Sequence, residues 1–390
     1  MYQIGEEEIE AVRRVIESKN LFRYQGGSGE IEQFEKEWAA KIGTEYCLSV
    51  TSGTAALICG LVGLGLGPGD EVLVPAYTFI ATALAPLAVG AVPILVEVDE
   101  SLTMDPKDME RKITPRTKAI IPVHMNGLPC NMDAILEVAR QHKLTVLEDA
   151  CQADGGSYHG KRLGSIGDVG AFSFNYFKIL TCGEGGALAT NNQEIYERAV
   201  YQQDGGAPFF QDMSQVKTPG FAGWSFRTNE IQGAILRVQL TRLDGILATL
   251  RAEKKLLREA LTGVKGCALN PVNDSEGDCG IALSLLFESA ERVGQVLERL
   301  TAAGVGAMTP INSGRHVYTN WEPILQQRGA HHPGRDAYRA TRVPVSYSKD
   351  MCPQTLSVLA RTINIATSID RSPQEQQEMI GHIKKAIAAR

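Results

Sequence analysis

The chain has 390 residues, 44% of them hydrophobic and 22% charged, which is ordinary for a folded protein and leaves room for two domains. A formal net charge of −6 with no Lys/Arg run excludes nucleic acid as the main partner. No apolar stretch reaches membrane-spanning length, and the opening MYQIGEEEIEAVRRVIES reads as an acidic amphipathic helix rather than a signal peptide.

From about residue 45 to 190, short β-branched runs alternate with helical patterns. The predicted strands are Glu71–Pro75, Val92–Val96, Lys118–His124, Thr145–Asp149, Gly170–Phe174 and Gly186–Thr190. Helices such as Gly53–Leu64 and Met132–His142 separate many of them. This alternation predicts a mostly parallel sheet covered on both faces, with ligands gathering outside the carboxyl ends of the strands. The stretch from about Gly205 to Thr228, rich in Gly, Pro and aromatics, reads as a long functional loop. A helical pattern through Ile231, Ile235, Val238, Leu243, Ile246 and Leu250 then runs from Asn229 to Leu261, with a break expected near Asp244-Gly245. Beyond Gly263 come a strand (Ile281–Phe287), a helix (Ala290–Ala303), a His/Pro/Gly-rich loop and a closing helix (Pro373–Ala389). The expected architecture is α/β, with a large domain over 1–245 and a smaller C-terminal α/β domain over 246–390.

Cys47, Cys59, Cys130, Cys151, Cys182, Cys267, Cys279 and Cys352 form no CxxC pair and no zinc-ligand spacing, so no metal is expected. They read as reduced thiols, several within apolar runs, of a cytoplasmic protein.

Three constellations carry chemistry. In Thr51-Ser52-Gly53-Thr54, small polar residues and a glycine open a helix whose free N–H groups favour an anion, although a plain N-cap looks the same. Glu148-Asp149-Ala150-Cys151-Gln152 ends an apolar strand in two acids, placing a carboxylate where it can hold a ring-nitrogen cation, cap a helix or bind a metal. Phe172 to Gly186 leads from a strand to a single Lys178 between Phe177 and Ile179, then to a tight glycine turn. An amine is nucleophilic only when unprotonated, which apolar surroundings favour, yet a lone Lys at a strand end is most often a surface residue.

Together these motifs, with Gly69-Asp70-Glu71-Val72, Pro75-Ala76-Tyr77-Thr78-Phe79 and Val123-His124-Met125-Asn126-Gly127, resemble the DegT/DnrJ/StrS sugar aminotransferases nearly end to end. These are fold type I enzymes that use pyridoxal 5'-phosphate (PLP), which alternates with its amine form. The resemblance implies that Lys178 is the Schiff-base lysine and Asp149 the partner of the pyridinium nitrogen. It puts Gln152 near the phenolic oxygen, Gly53, Thr54 and Ser173 on the phosphate, and Phe79 on the ring face. It also implies a homodimer whose sites are completed by the neighbouring subunit. Where the family has an Asn that reaches the neighbour's phosphate, this chain has Ser225 in Gly223-Trp224-Ser225-Phe226-Arg227, leaving Ser225 or the nearby Asn229 for that contact.

The implied activity is transfer of an amino group from L-glutamate or L-glutamine to a keto or aldehyde sugar, a nucleotide-linked sugar or a keto-cyclitol in amino-sugar biosynthesis. Arg23, Tyr24, His316, Tyr318 and Asn320 are the candidates to line the substrate site. The related sugar 3-dehydratases replace the lysine by His, so the retained Lys178 argues against that branch. A lysine-retaining, aromatising dehydratase of the aminohydroxybenzoate-synthase kind is the alternative. A non-catalytic regulatory homologue fits poorly with both Lys178 and Asp149 in place.

Overall fold

The computed structural model describes residues 3–206, 216–329, 332–333, 336–340 and 345–389. Its main sheet has seven strands: β1 (Tyr46–Val50), β2 (Glu71–Pro75), β3 (Val92–Val96), β4 (Thr117–Ile120), β5 (Thr145–Asp149), β8 (Val169–Ser173) and β9 (Gly186–Thr190). A two-stranded hairpin, β6 (Ser157–Tyr158) and β7 (Lys161–Arg162), lies between β5 and β8 in the chain. The order across the sheet is β1-β9-β8-β5-β4-β2-β3. The strands from β8 to β3 run parallel, and β9 is antiparallel to both its neighbours. The edge strand β1 was not among the expected strands; its Cys-Leu-Ser core is short and only weakly β-branched.

Side-chain alternation divides two cores between the faces. On β2, Val72 and Val74 enter one core and Leu73 the other; on β4, Ala119 and Ile120 divide the same way. The first face is covered by α3 (Gly53–Gly63), α4 (Ala81–Val89) and α7 (Gln193–Gln203). The second is covered by α2 (Glu30–Ile42), α6 (Met132–His142) and α8 (Glu230–Leu261), with Trp38 packed edge-on against Phe172 and Phe174.

The expected break at Asp244-Gly245 is absent: α8 is one helix of 32 residues. A Cβ on Gly245 would meet nothing within 4 Å, so the glycine lies on an open face and costs only about 1 kcal/mol of helix propensity. Leu243, Ile246, Leu247 and Leu250 around it are buried in the sheet core, while Leu257 and Leu261 enter a third core. That core belongs to a four-stranded antiparallel sheet, β10 (Ala268–Leu269), β11 (Ala282–Leu286), β12 (Ala307–Met308) and β13 (Thr362–Ala366), in the order β10-β11-β13-β12. Residue 245, the expected domain boundary, therefore falls inside the helix that serves both cores.

Of the expected long loop, Phe209 and Phe210 lie outside the described residues. Its end folds back onto the sheet edge: Phe226 N–H donates to the Gln203 carbonyl at 2.9 Å, and Thr51 N–H donates to the Phe226 carbonyl at 3.0 Å. Among the described residues no helix is long and apolar enough to cross a membrane.

Candidate active site

The period-two alternation of the strands builds the site. On β5, Leu147 faces the α3 side, so Asp149 does too, while Val146 and Glu148 face the opposite helices. On β8, Ala171 shares the α3 side, which puts Ser173 there as well. Asp149 and Ser173 thus stand on one face at the carboxyl ends of adjacent parallel strands.

The two acids at the end of β5 have separate fates. Glu148 is fully buried and accepts the N–H groups of Gly164 (2.9 Å), Ile166 (2.6 Å) and Gly167 (2.7 Å). It also lies 3.0 Å from His124 Nε2. Because His124 Nδ1 accepts the Cys130 N–H, the imidazole proton sits on Nε2 and completes the shell of Glu148, whose role is structural. Asp149 Oδ1 accepts the Cys151 N–H at 3.1 Å and Oδ2 accepts the Thr82 hydroxyl at 2.7 Å.

A cavity of about 490 Å³ opens beside Asp149, lined also by Gly53, Thr54, Phe79, Gln152, Ser173, Lys178 and His316. At one end lies the N-terminus of α3, where Ser52 caps the helix by accepting the Ala55 N–H. The N–H groups of Gly53 and Thr54, in the first turn, have no intrahelical acceptor. A Cβ on Gly53 would stand 2.8 Å from both Ser173 Cβ and Cys151 Sγ, so only glycine lets the helix end come this close to β8. Gly186 does the same from β9, where a Cβ would meet the Ser52 backbone at 2.4 Å. Two amides and the Thr54 and Ser173 hydroxyls form a cradle of donors for an anion.

Lys178 sits in a turn after β8, its N–H donating to the Asn175 carbonyl at 2.9 Å. The glycine-rich segment pins this turn: Phe174 N–H donates to the Gly185 carbonyl at 2.8 Å and Tyr176 N–H to the Gly183 carbonyl at 2.9 Å. The apolar flanks expected around Lys178 exist on one side only. Ile179 is buried, whereas Phe177 is 74% exposed and stands at the cavity rim.

Gln152 Oε1 accepts the Asn126 N–H at 3.1 Å, which leaves its amide NH2 as the donor end. His316 reaches the cavity because its segment pairs with the loop after β2: Thr78 N–H donates to the His316 carbonyl (2.9 Å) and Ile80 N–H to the Arg315 carbonyl (3.0 Å). His316 Nδ1 lies 3.0 Å from the Ser313 carbonyl, so Nδ1 carries the proton and Nε2 offers a lone pair. Burial pushes this imidazole below its ordinary pKa against the opposing Ser313 carbonyl, with Lys178 adding to the shift. The Phe79 ring lies 5.5 Å from the His316 ring.

The other candidates lie elsewhere. Arg23 is buried in an ion pair with Glu35 at 2.6 Å and also donates to the Ser49 carbonyl; with Tyr24 it lines a different cavity. The Tyr24 hydroxyl donates to Asp204 at 2.9 Å. Tyr318 is a core residue, fully buried, its hydroxyl donating to the Lys349 carbonyl (2.6 Å) and accepting the Cys352 N–H (3.1 Å). Asn320 ties its amide to the Gly314 carbonyl at 2.8 Å. Ser225 is exposed and outside the Lys178 cavity. Asn229 is also exposed and caps α8, accepting the N–H groups of Ile231 (3.1 Å) and Gln232 (3.2 Å). Sequence reasoning missed Thr82 and Arg315, both of which line the cavity. For Thr82 the signal was its spacing of four from Thr78, one helical turn, in an otherwise apolar stretch.

This donor set fits pyridoxal phosphate. The Gly53 cradle suits its phosphate, the Asp149 carboxylate its ring nitrogen, the Gln152 amide its phenolic oxygen and the Lys178 amine its aldehyde. Among the described residues no cluster of His, Cys, Asp and Glu could hold a metal ion.

A model of the DegT/DnrJ/EryC1/StrS aminotransferase family matches residues 2–383. The chain is 40% identical over 304 residues to a dTDP-3-amino-3,4,6-trideoxy-alpha-D-glucose transaminase of Streptomyces venezuelae, covering 77% of this chain and 76% of the relative. It is 35% identical over 327 residues to a 3-amino-5-hydroxybenzoate synthase of Amycolatopsis mediterranei, covering 82% and 83%. Among solved structures, it is similar to S. venezuelae DesV in complex with a ketimine intermediate, at a TM-score of 0.81 and 30% identity over 98% of this chain and 95% of that one. A 3-amino-5-hydroxybenzoic acid synthase matches at a TM-score of 0.82 and 29% identity over 100% and 98%.

Proposed function

The chain belongs to the DegT/DnrJ/EryC1/StrS aminotransferase family of PLP enzymes, and from that premise we propose that it aminates a keto or aldehyde sugar, a nucleotide-linked sugar or a keto-cyclitol. L-Glutamate or L-glutamine is the donor in this reading. The observation that carries it is the convergence of one amine, one buried carboxylate and one anion cradle on a single cavity.

When bound, PLP supplies an electrophilic carbon and a ring that stores the electron pair of the broken C–H bond. Gly53, Thr54 and Ser173 would hold its phosphate, and Asp149 would keep its ring nitrogen protonated. Lys178 Nζ would hold it covalently and, when free, take the proton leaving the donor's α-carbon. Gln152 would orient the ring through the phenolic oxygen, Phe79 would cover one ring face, and the neutral His316 would accept a hydrogen bond from a substrate hydroxyl.

The same reading makes the protein a homodimer with shared sites. It is supported by exposed aromatic side chains, Phe177 at the cavity, its chain neighbour Tyr176, and Trp224, each at least 60% exposed. Ser225 or Asn229 would serve the neighbour's phosphate. The eight free thiols suit a reducing compartment such as the cytoplasm.

Loading the protein with PLP and adding L-glutamate or L-glutamine tests the donor half through the cofactor's absorbance. A panel of nucleotide-linked keto sugars, free keto sugars and keto-cyclitols then tests the acceptor half. An aromatising dehydratase is the second reading, favoured by the similarity to the 3-amino-5-hydroxybenzoate synthase. Product analysis separates the two, because only that reading yields an aromatic amine.

A further inference from the structure

The loop 314–318 is fastened by its backbone to the stretch that follows β2. Thr78 N–H donates to the His316 carbonyl (2.9 Å), Ile80 N–H to the Arg315 carbonyl (3.0 Å) and Tyr318 N–H to the Ala76 carbonyl (3.1 Å). The indole N–H of Trp321, a fully buried residue, donates to the same Arg315 carbonyl at 2.7 Å. Arg315 is thus held by its main chain, between a core tryptophan and the segment that carries Phe79. Its side chain is exposed and lines the Lys178 cavity. Among the described residues the guanidinium forms no ion pair, hydrogen bond or aromatic stack.

Among the described residues the cations lining this cavity are Lys178 and Arg315, and the carboxylates are Asp149 and Glu184. With the cofactor in place, Lys178 is joined to it and Asp149 faces its ring nitrogen. Glu184 accepts the Asn175 amide at 2.8 Å, and His316, lowered by burial, is neutral. Arg315 is the one cation left over. An α-amino acid donor brings a carboxylate bonded to the very carbon that must give up its proton. An anion drawn from water into a cavity needs a partner of opposite charge. A guanidinium stays charged at every working pH and presents parallel N–H donors that match the two oxygens of a carboxylate.

We propose that Arg315 holds the α-carboxylate of the amino donor and so selects α-amino acids over simple amines. The inference deepens the aminotransferase reading and rests on it. Arg315 acts by binding alone, and no proton or bond changes at the guanidinium. Fixing the carboxylate leaves the donor's α-carbon fewer orientations to take before Lys178.

The test compares each donor with the same molecule lacking the α-carboxylate: L-glutamate with 4-aminobutanoate, and L-glutamine with 4-aminobutanamide. Rates of the donor half-reaction at low donor concentration, read from the absorbance of the PLP-loaded protein, give the preference within each pair. That preference should fall by at least about tenfold in Arg315→Met, which removes the charge and keeps an unbranched stem. Arg315→Lys keeps the charge without the planar fork and should retain part of it. A merely structural role would slow both members of a pair alike and leave their ratio unchanged. A second arm follows the acceptor half-reaction with nucleotide-linked keto sugars and uncharged keto-cyclitols. A loss confined to the phosphate-bearing acceptors, with the donor preference intact, would overturn the proposal and assign Arg315 to the acceptor. If the variants do not fold, phenylglyoxal modification of the wild-type holoenzyme with peptide mapping decides. Excess L-glutamine should protect Arg315 and 4-aminobutanamide should not, whereas equal labelling contradicts the proposal. No absorbance change with either amino acid in the wild type would remove the aminotransferase reading itself. An unchanged preference in a reactive Arg315→Met variant would remove only the role of Arg315.

Discussion

The Thr82 hydroxyl donates a 2.7 Å hydrogen bond to Asp149 Oδ2, and Thr78 Oγ1 lies 2.7 Å from Thr82 Oγ1 in turn. The first turn of α4 thereby aims the carboxylate that ends β5. Asp149→Asn keeps the shape and removes the charge. PLP should still bind, while the donor half-reaction slows by at least ~100-fold, the lower range for losing a positioned electrostatic group. Thr82→Val should slow it by about tenfold, as one hydrogen bond to a charged acceptor is lost. Stopped-flow absorbance measures both, and near-wild-type rates in Asp149→Asn would reject the role.

Gly53→Ala places a methyl group 2.8 Å from Ser173 Cβ and Cys151 Sγ. Overpacking of this kind costs about 1–3 kcal/mol, and here it also pushes the helix end away from its anion. PLP affinity should fall by roughly tenfold or more, read by absorbance titration. Unchanged affinity would mean that the cofactor phosphate lies elsewhere.

Tyr318→Phe separates a core residue from a binding residue. It removes the hydroxyl that joins the Lys349 carbonyl to the Cys352 N–H, a loss of about 1–2 kcal/mol. Calorimetry should show Tm down by a few degrees, with KM for both substrates unchanged. A raised KM for the acceptor with Tm unchanged would return Tyr318 to the substrate site.

Much of this arrangement was legible because strand alternation and local motifs encode it. Asp149 and Ser173 stand near the carboxyl ends of predicted strands, Lys178 follows one, and the Gly53 helix start and the glycine turn are contiguous signals. The substrate residues were not legible in this way. Whether Tyr318 faces a cavity or the core depends on a contact with Lys349 and Cys352 some thirty residues away, and no local period records that. The break expected in α8 failed for a related reason: the cost of Gly245 is local, while the burial that overrides it comes from two separate cores.

Asp154 is 1% exposed and neither of its carboxylate oxygens has a hydrogen-bond partner among the described residues, so Asp154→Asn should change how stability depends on pH. The folded-state pKa of Asp154 is raised, so from about 4, where an unfolded Asp ionises, the unfolded chain gives up a proton that the folded chain retains. Wild-type stability therefore falls as pH rises through this window, and the variant lacks that slope. The Tm difference, variant minus wild type, should rise as pH increases above about 4. A difference constant across the range would mean that Asp154 titrates alike in both states.

Shared sites predict complementation. Lys178→Ala chains and chains mutated at both Ser225 and Asn229 should each be inactive or impaired. Mixed and re-annealed, they should recover activity in hybrids that carry one intact site. No recovery, together with a monomeric mass by light scattering, would mean that residues 225–229 serve their own chain.

The central claim is that Lys178 carries the cofactor. Borohydride reduction of the PLP-loaded protein, followed by proteolysis and peptide mass mapping, reads the attachment point directly. The account predicts one phosphopyridoxyl group per chain, on Lys178, and none in a folded Lys178→Ala variant. A label on any other lysine, or full labelling of that variant, would contradict it.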